Sequence, residues 1–475
     1  MIEKPEHAQQ SPQEPVDPSR RQFFRRFAGE IITSAGQFAG AVSELRDRSA
    51  AEASVLLGPQ GDGSPASGTR ANGRPAVRRT ARRTIGADAP TAAGFDAPSG
   101  FRTPFRFESD VVLLVIDQRE LPDQLIEVPV RTAADAATTI RDMVVRGAPA
   151  IGQVAAIGLA LTANRAAKSQ PHARQAILLG AASTLRAARP TAINLGWAVD
   201  RLMARYEEIG RLSREGQLIA EAMRDEAMAI VAEATEDHGR LAEAGLAMLP
   251  TTAGRPLQIL THCNTGPLAC GQFGTALGVV QAAHALERPL RVWVDETRPY
   301  LQGARLTAWE LKQAGVEHTL VPDMAAGPLM ARGDVDVILV GADRIAANGD
   351  TANKLGTYTL AVLAARHHVP LVVCAPLSSV DLSTPDGAAI PIEDRPAGEV
   401  TDVRGVRIAP EGTAVKNPAF DVTPADLITA IVTEEGVLRA PFDASLRDAM
   451  DRRNARRAAK GPYALEPAKP VGAPS

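Results

Sequence analysis

Three stretches of this 475-residue chain close an apolar run with a residue able to do chemistry. In LTHCNTGPLACGQFGTALG, Cys263 sits just past an expected strand, and the glycine-rich segment after it opens a helix. Backbone N–H groups at a helix N-terminus favour anions, so phosphate is expected nearby, and the same field would lower the pKa of a thiol placed there. The plainer reading of a lone cysteine is a small core residue. Cys270 and Cys374, one at a helix start and one inside a strand, are read in that plainer way. In VDVILVGADRIAANGDTANKLGTY, Asp343 stands at a buried strand end. Burial raises a carboxyl's pKa and fits it for general-acid work near neutrality. Asn353 and Lys354 are expected to start the next helix, with the lysine meeting a phosphate as a point charge. In VDETRPYLQGARLTAWEL, Asp295, Glu296, Arg298 and Gln302 lie between a strand and a helix, where they could hold sugar hydroxyls or one another. Two further candidates precede these. VVRGAPAIG sets Arg146, Gly147 and Ala148 at a helix-to-loop junction with exposed backbone N–H groups, and RPTAINLGWAVDRL puts Arg189 before Pro190 at a helix start. A single arginine is usually a surface charge. Phosphate recognition needs such residues, and the strand-end clusters point to a phosphorylated ligand.

The elements that position these residues follow from the hydrophobic pattern. Residues 111–117 read as a strand, and AADAATTIRDMVVRG reads as a helix ending near Gly147, with Pro149 marking the break. Alanine-rich helices are expected at 153–167 and 175–188, another at 194–210, and a long helical run at 215–248. After Pro250, short apolar strands alternate with helices: LQILTH then 271–286, LRVWVDE then 302–314, HTLVPD, VDVILVGAD then 353–366, PLVVCAP, and a last helix at 426–433. This alternation predicts an α/β fold: a Rossmann-like parallel sheet in a C-terminal domain (249–460), preceded by a mainly helical domain with a small sheet (104–248). Ligands of such sheets bind beyond the carboxyl ends of the strands, where the clusters lie.

Residues 1–103 are rich in Pro, Gly, Ser, Ala and Arg and are expected to be a largely disordered extension, with a flexible tail at 461–475. Arg20 and Arg21 open an amphipathic stretch that resembles a twin-arginine export signal. Arg25, Arg26 and Glu30 interrupt its apolar region, so the expectation is a retained, cytoplasmic chain. Net charge is −3 and aromatics are 4%, which argues against nucleic acid as a partner. Three cysteines without CxxC spacing argue against a disulfide framework or a zinc site, and no His/Asp/Glu/Cys cluster has metal-ligand spacing. No apolar run is long enough for a membrane span.

RGAPAIG, RPTAINL, THCNTG, DETRPYLQGARLTAWEL, GADRIAANGDTANKLGTY, APLSSVDL, IPIEDR and NPAFDVTPADLITAIVTEEG, in this order and spacing, resemble the methylthioribose-1-phosphate isomerases. That wider group includes ribose-1,5-bisphosphate isomerases and regulatory subunits of a translation-initiation exchange factor. The resemblance covers about residues 105–437. It implies an aldose–ketose isomerase of methionine salvage, acting on a small sugar phosphate as a homodimer, with no cofactor and no metal. It implies that Cys263 is the catalytic cysteine and Asp343 the catalytic acid. It also implies that Arg146, Gly147, Ala148, Arg189, Gln302, Asn353 and Lys354 contact substrate. DQRELP departs from the family pattern in carrying Arg119 where a small polar residue is expected, and Pro267 and Cys270 are slightly unusual.

Such a substrate poses a defined problem. Its anomeric oxygen is esterified, so the ring must be opened with the phosphate attached, and hydrogen must pass from C2 to C1. A protonated Asp343 would donate to the ring oxygen, while Cys263 would take the C2 proton as a thiolate or stabilise charge during a hydride shift. A related pentose 1-phosphate (ribose 1,5-bisphosphate or a 5-deoxypentose 1-phosphate) is the alternative substrate. A non-catalytic regulatory subunit is the alternative from another class, and the presence of both Cys263 and Asp343 speaks against it.

Overall fold

Small side chains set the geometry of the first half. The computed structural model describes residues 83–84, 103–190 and 192–460. Five helices follow in order: α1 (Ala133–Arg141), α2 (Ala148–Ala166), α3 (Pro171–Ala188), α4 (Ile193–Leu212) and α5 (Gly216–Leu246). The sequence of α2, APAIGQVAAIGLALTANRA, is apolar nearly all round, and the helix is accordingly buried, packed against the other four. Leu159, Leu178, Leu202 and Met223 share its core with a small antiparallel sheet. That sheet has the order β1-β4-β3-β2, from β1 (Arg83–Thr84), β2 (Phe105–Ser109), β3 (Val112–Ile116) and β4 (Ile126–Val130). Pro149 does not break a helix, as the sequence suggested. The first helix stops at Arg141, and Pro149 lies in the opening turn of α2, where its missing N–H costs nothing.

The second half is organised by a seven-stranded sheet of order β17-β16-β11-β8-β5-β6-β7. Its strands are β5 (Leu257–Thr261), β6 (Leu290–Asp295), β7 (His318–Val321), β8 (Val337–Val340), β11 (Leu371–Cys374), β16 (Ala430–Thr433) and β17 (Gly436–Leu438). Every neighbouring pair is parallel except β16 with β17. VILV, LVVC and AIVT are buried along their whole length, as strands covered on both faces must be. Helices α6 (Pro267–Cys270), α7 (Ala276–Ala285), α8 (Ala308–Gln313), α9 (Ala326–Ala331) and α10 (Thr357–His367) intervene, and α12 (Phe442–Lys460) ends the described chain. A second sheet, β12-β9-β10-β15, flanks the strand ends and comprises β9 (Arg344–Ala346), β10 (Thr351–Lys354), β12 (Val380–Asp381) and β15 (Phe420–Thr423). A short helix α11 (Gly398–Thr401) leads into the hairpin of β13 (Asp402–Val403) and β14 (Val406–Arg407).

Three expected helices change. Residues 426–433 form a 3₁₀ turn and then β16. Residues 271–286 give only α7, after the four-residue α6. Asn353 and Lys354 end β10, and the helix begins at Thr357 after Gly356. The expectations for the extension, its twin arginines and the tail lie outside the described residues, apart from Arg83–Thr84, which pair with β4, and Thr103. Among described residues no helix is long and apolar enough to cross a membrane.

Candidate active site

Neighbouring parallel strands deliver their carboxyl ends to one place. Cys263 lies two residues past β5, Asp343 three past β8, and Cys374 ends β11, the three strands being adjacent in the sheet. All three residues line one cavity, which opens to solvent at its mouth. Arg146, Gly147, Ala148, Arg189, Gln302, Asn353 and Lys354 line the same cavity, so the fold brings together the site residues implied by the resemblance, whereas Asp295, Glu296 and Arg298 are not among the lining residues.

Cys263 is almost fully buried and has φ of +66°, a left-handed conformation that costs a non-glycine residue about 1–3 kcal/mol and concentrates at functional sites. Its N–H donates to Thr297 Oγ1 at 2.9 Å, and its carbonyl accepts from Thr307 Oγ1 at 2.6 Å. Arg146 Nη1 stands 4.0 Å from Sγ. The sequence suggested a lowered thiol pKa; burial instead pushes it up, outweighing the Arg146 charge. Burial likewise raises the Asp343 carboxyl, against the pull of Arg189, Arg146 and Lys354. The cavity therefore sets a thiol and a carboxyl, both raised by burial, beside Arg146, Arg189 and Lys354.

Those cations come from different elements. Arg146 and Gly147 lead into α2, whose first turn has no side-chain cap and whose N-terminus borders the cavity. Gly147 has φ of +98°, and a Cβ there would lie 2.3 Å from the Ala269 carbonyl oxygen, so only glycine lets α2 approach so closely. Arg189 ends α3 and lies 3.6 Å from Glu393. Lys354 Nζ donates to the Ala419 carbonyl at 3.3 Å, and burial lowers its pKa. Asn353 donates to Thr357 Oγ1 at 2.9 Å. Arg146 Nε, Arg189 Nε and Gln302 Oε1 are buried without a hydrogen-bond partner, an arrangement that fits a polar ligand. Gln302 precedes a π-helical turn, Gly303–Thr307, that runs into α8.

Other expectations resolve into structural roles. The helix after Cys263 does not offer its N-terminus to a ligand: its Leu268 N–H donates to Glu310 Oε1 at 2.7 Å. Asp295 pairs with His262 Nδ1 at 3.1 Å. Arg298 N–H and Thr297 N–H donate to the two oxygens of Asp323. Arg119 forks onto Asp117 and is not among the lining residues. Among the described residues, folding assembles one group with metal-ligand proximity that sequence spacing hid, His262, Asp295 and Asp323, although His262 Nε2 also bonds the Leu355 carbonyl. Cys270 and Cys374, read as core, line the cavity, as do Tyr300, Arg395 and Glu399. Arg395 belongs to the IPIEDR motif already singled out; nothing local marks Glu399.

The sequence model of the initiation factor 2 subunit family matches residues 144–440. The methylthioribose-1-phosphate isomerase of Magnetococcus marinus is 51% identical over 337 residues, covering 70% of this chain and 94% of that protein. The chain belongs to the methylthioribose-1-phosphate isomerase family. Among solved structures, the 5-methylthioribose 1-phosphate isomerase of Pyrococcus horikoshii OT3 superposes with a TM-score of 0.68 at 39% identity, over 75% of this chain and 98% of that one. A chain from A. fulgidus described as translation initiation factor eIF-2B, subunit delta, superposes with a TM-score of 0.65 at 35% identity, over 74% and 99%. The isomerase fold is thus shared with proteins that carry another description, and the activity must be argued from the cavity.

Proposed function

We propose that this chain isomerises 5-methylthioribose 1-phosphate to 5-methylthioribulose 1-phosphate, a step of methionine salvage. The observation that carries the reading is the pairing of Cys263 and Asp343 in one cavity with Arg146, Arg189 and Lys354. The guanidiniums, the ammonium and the uncapped N-terminus of α2 meet the phosphate. Gly147, Ala148, Gln302 and Asn353 hold the sugar and its ester oxygens. Asp343, its carboxyl raised by burial and protonated in this reading, gives its proton to the ring oxygen as the bond from C1 to that oxygen breaks. Hydride then passes from C2 to C1, and the proton leaving the C2 hydroxyl regenerates the Asp343 acid. The raised thiol pKa of Cys263 favours this route over abstraction of the C2 proton, because little thiolate is present as base. Cys263 then acts by polarity and shape against C1 and C2. Substrate labelled with deuterium at C2 should give product with deuterium at C1; exchange of the label with solvent would reinstate the enediol route.

Arg395 is matched by Glu399 at 2.5 Å and by Glu393 at 3.4 Å, so its charge is spoken for, which favours an uncharged 5-substituent over a second phosphate. The deciding experiment is turnover of purified protein with 5-methylthioribose 1-phosphate, ribose 1,5-bisphosphate and 5-deoxyribose 1-phosphate. Preference for the bisphosphate would overturn the substrate, and inertness to all three would overturn the enzyme. The proposal further includes a cytoplasmic homodimer, two folding domains meeting near residue 248, and an N-terminal extension dispensable for turnover. Sedimentation, limited proteolysis, and assay of a chain lacking residues 1–100 test these in turn.

A further inference from the structure

Behind the Cys263 loop lies a carboxyl that the reaction above does not use. Glu310, on α8, is fully buried. Its Oε2 accepts from Asn264 Nδ2 at 2.5 Å and its Oε1 from the Leu268 N–H at 2.7 Å. Asn264 Nδ2 also donates to Thr307 Oγ1 at 3.2 Å, whose own proton is committed to the Cys263 carbonyl. The other end of the same amide, Asn264 Oδ1, accepts from Arg146 Nη2. The chain Glu310–Asn264–Arg146 therefore ends on the guanidinium that stands beside Cys263 Sγ. The reverse amide orientation would set an NH₂ group against the donors of Arg146, and what forbids it is a carboxylate that can only accept. Gly266 makes the approach possible: a Cβ there would lie 2.2 Å from Glu310 Oε2.

We propose that Glu310 is a positioning residue for the isomerisation: its carboxylate holds the Asn264 amide with Oδ1 toward Arg146, and so keeps the guanidinium beside the Cys263 thiol. This rests on the isomerase reading above. Burial brings the Glu310 carboxyl up to about 7, against the Leu268 and Asn264 hydrogen bonds and the Arg146 charge, so the anchor titrates near neutrality. The charged and titratable groups that face it are Arg146, across Asn264, and the Cys270 thiol on α6. Protonation adds an O–H donor to a group that otherwise only accepts. The Asn264 amide then loses its fixed sense, and Arg146, still held by the Asn264 main-chain carbonyl at 3.4 Å, loses its Oδ1 partner and its fixed place beside the thiol.

The test reads the thiol and the rate separately. In the wild type, alkylation of Cys263 by iodoacetamide, resolved from Cys270 and Cys374 by peptide mass spectrometry, should follow two ionisations, one of them near neutrality. Glu310→Gln presents an NH₂ to a site built for two donors. It should abolish the neutral inflection, slow Cys263 alkylation at mildly alkaline pH, and remove the acid limb of kcat/KM near neutrality. The alkaline plateau of kcat/KM should fall about tenfold, the effect of one charge-assisted hydrogen bond. The double variant Asn264→Asp/Glu310→Gln restores the donor–acceptor pairing from residue 310 to Arg146 and to the Leu268 N–H, giving up only the bond to Thr307 Oγ1, and should recover the reactivity of Cys263, which a merely structural role for Glu310 would not produce. An active wild type whose thiol and rate profiles survive Glu310→Gln unchanged would overturn the proposal. So would a wild-type Cys263 that titrates as a single group, a measurement that needs no variant to fold. Failure of the isomerase reading looks different: a wild type that turns over none of the pentose phosphates.

Discussion

Cys263 and Asp343 carry different duties in the same cavity, and their replacements should fail alike in rate but not in binding. Cys263→Ala and Asp343→Asn should each lower kcat by at least about a hundredfold, since each removes a positioned group that acts as charge develops. Calorimetric titration with substrate should still show binding in both; near-normal turnover in either would contradict the roles given. Arg189→Ala and Lys354→Ala should mainly raise KM, because they remove phosphate contacts made before and during the reaction. At this scale the sequence was informative wherever a residue closes an apolar strand. It was silent about Glu310, which meets Asn264 from 46 residues away along the chain, and about Cys374, whose place inside a strand hides that the strand ends on the cavity. It also misjudged the thiol: a local helix field was visible, whereas the burial that outweighs it needs the whole fold.

The alternation of strands and helices was readable because fully buried parallel strands are short and apolar. The errors have the same origin. ADLITAIVTEE spaces its apolar residues in a way that suits a helix, yet AIVT adds to the sheet beside β11. TANK carries no strand signature, but its pairing with FDVT fixes Lys354 opposite Phe420. Two elements make sharp predictions. Gly147→Ala should cost at least about 2 kcal/mol in denaturant unfolding, from its positive φ and the Ala269 carbonyl, and should weaken phosphate binding by shifting the start of α2. The π-helical turn Gly303–Thr307 holds one residue more than α-helical hydrogen bonding would accommodate. Deleting one residue from it should let the turn close as α-helix with α8 kept in register, so Glu310 stays on Asn264. Unchanged alkylation kinetics of Cys263 would bear this out.

Taken whole, the described chain is one compact unit in which the last helix returns to the first half. On α12, Arg456 reaches Asp237 at 2.9 Å and Glu435 at 2.8 Å, and Arg457 reaches Glu233 at 2.8 Å while lying over Trp197. Arg456→Glu sets like charges against both acids and should lower Tm by a few degrees, less at high salt than at low, because these partly buried pairs are screened only in part. A variant as stable as the wild type at low salt would show the network to be neutral. The same clamp governs how the protein is made. Residues of α4 and α5 leave the ribosome more than two hundred positions before the arginines that fasten them, and Phe420 of the cavity wall emerges long after Arg146. A nascent chain holding both Cys263 and Asp343 therefore still lacks part of the wall that buries them, and the two acids acquire their perturbed chemistry only once Ala419 and Phe420 have joined it.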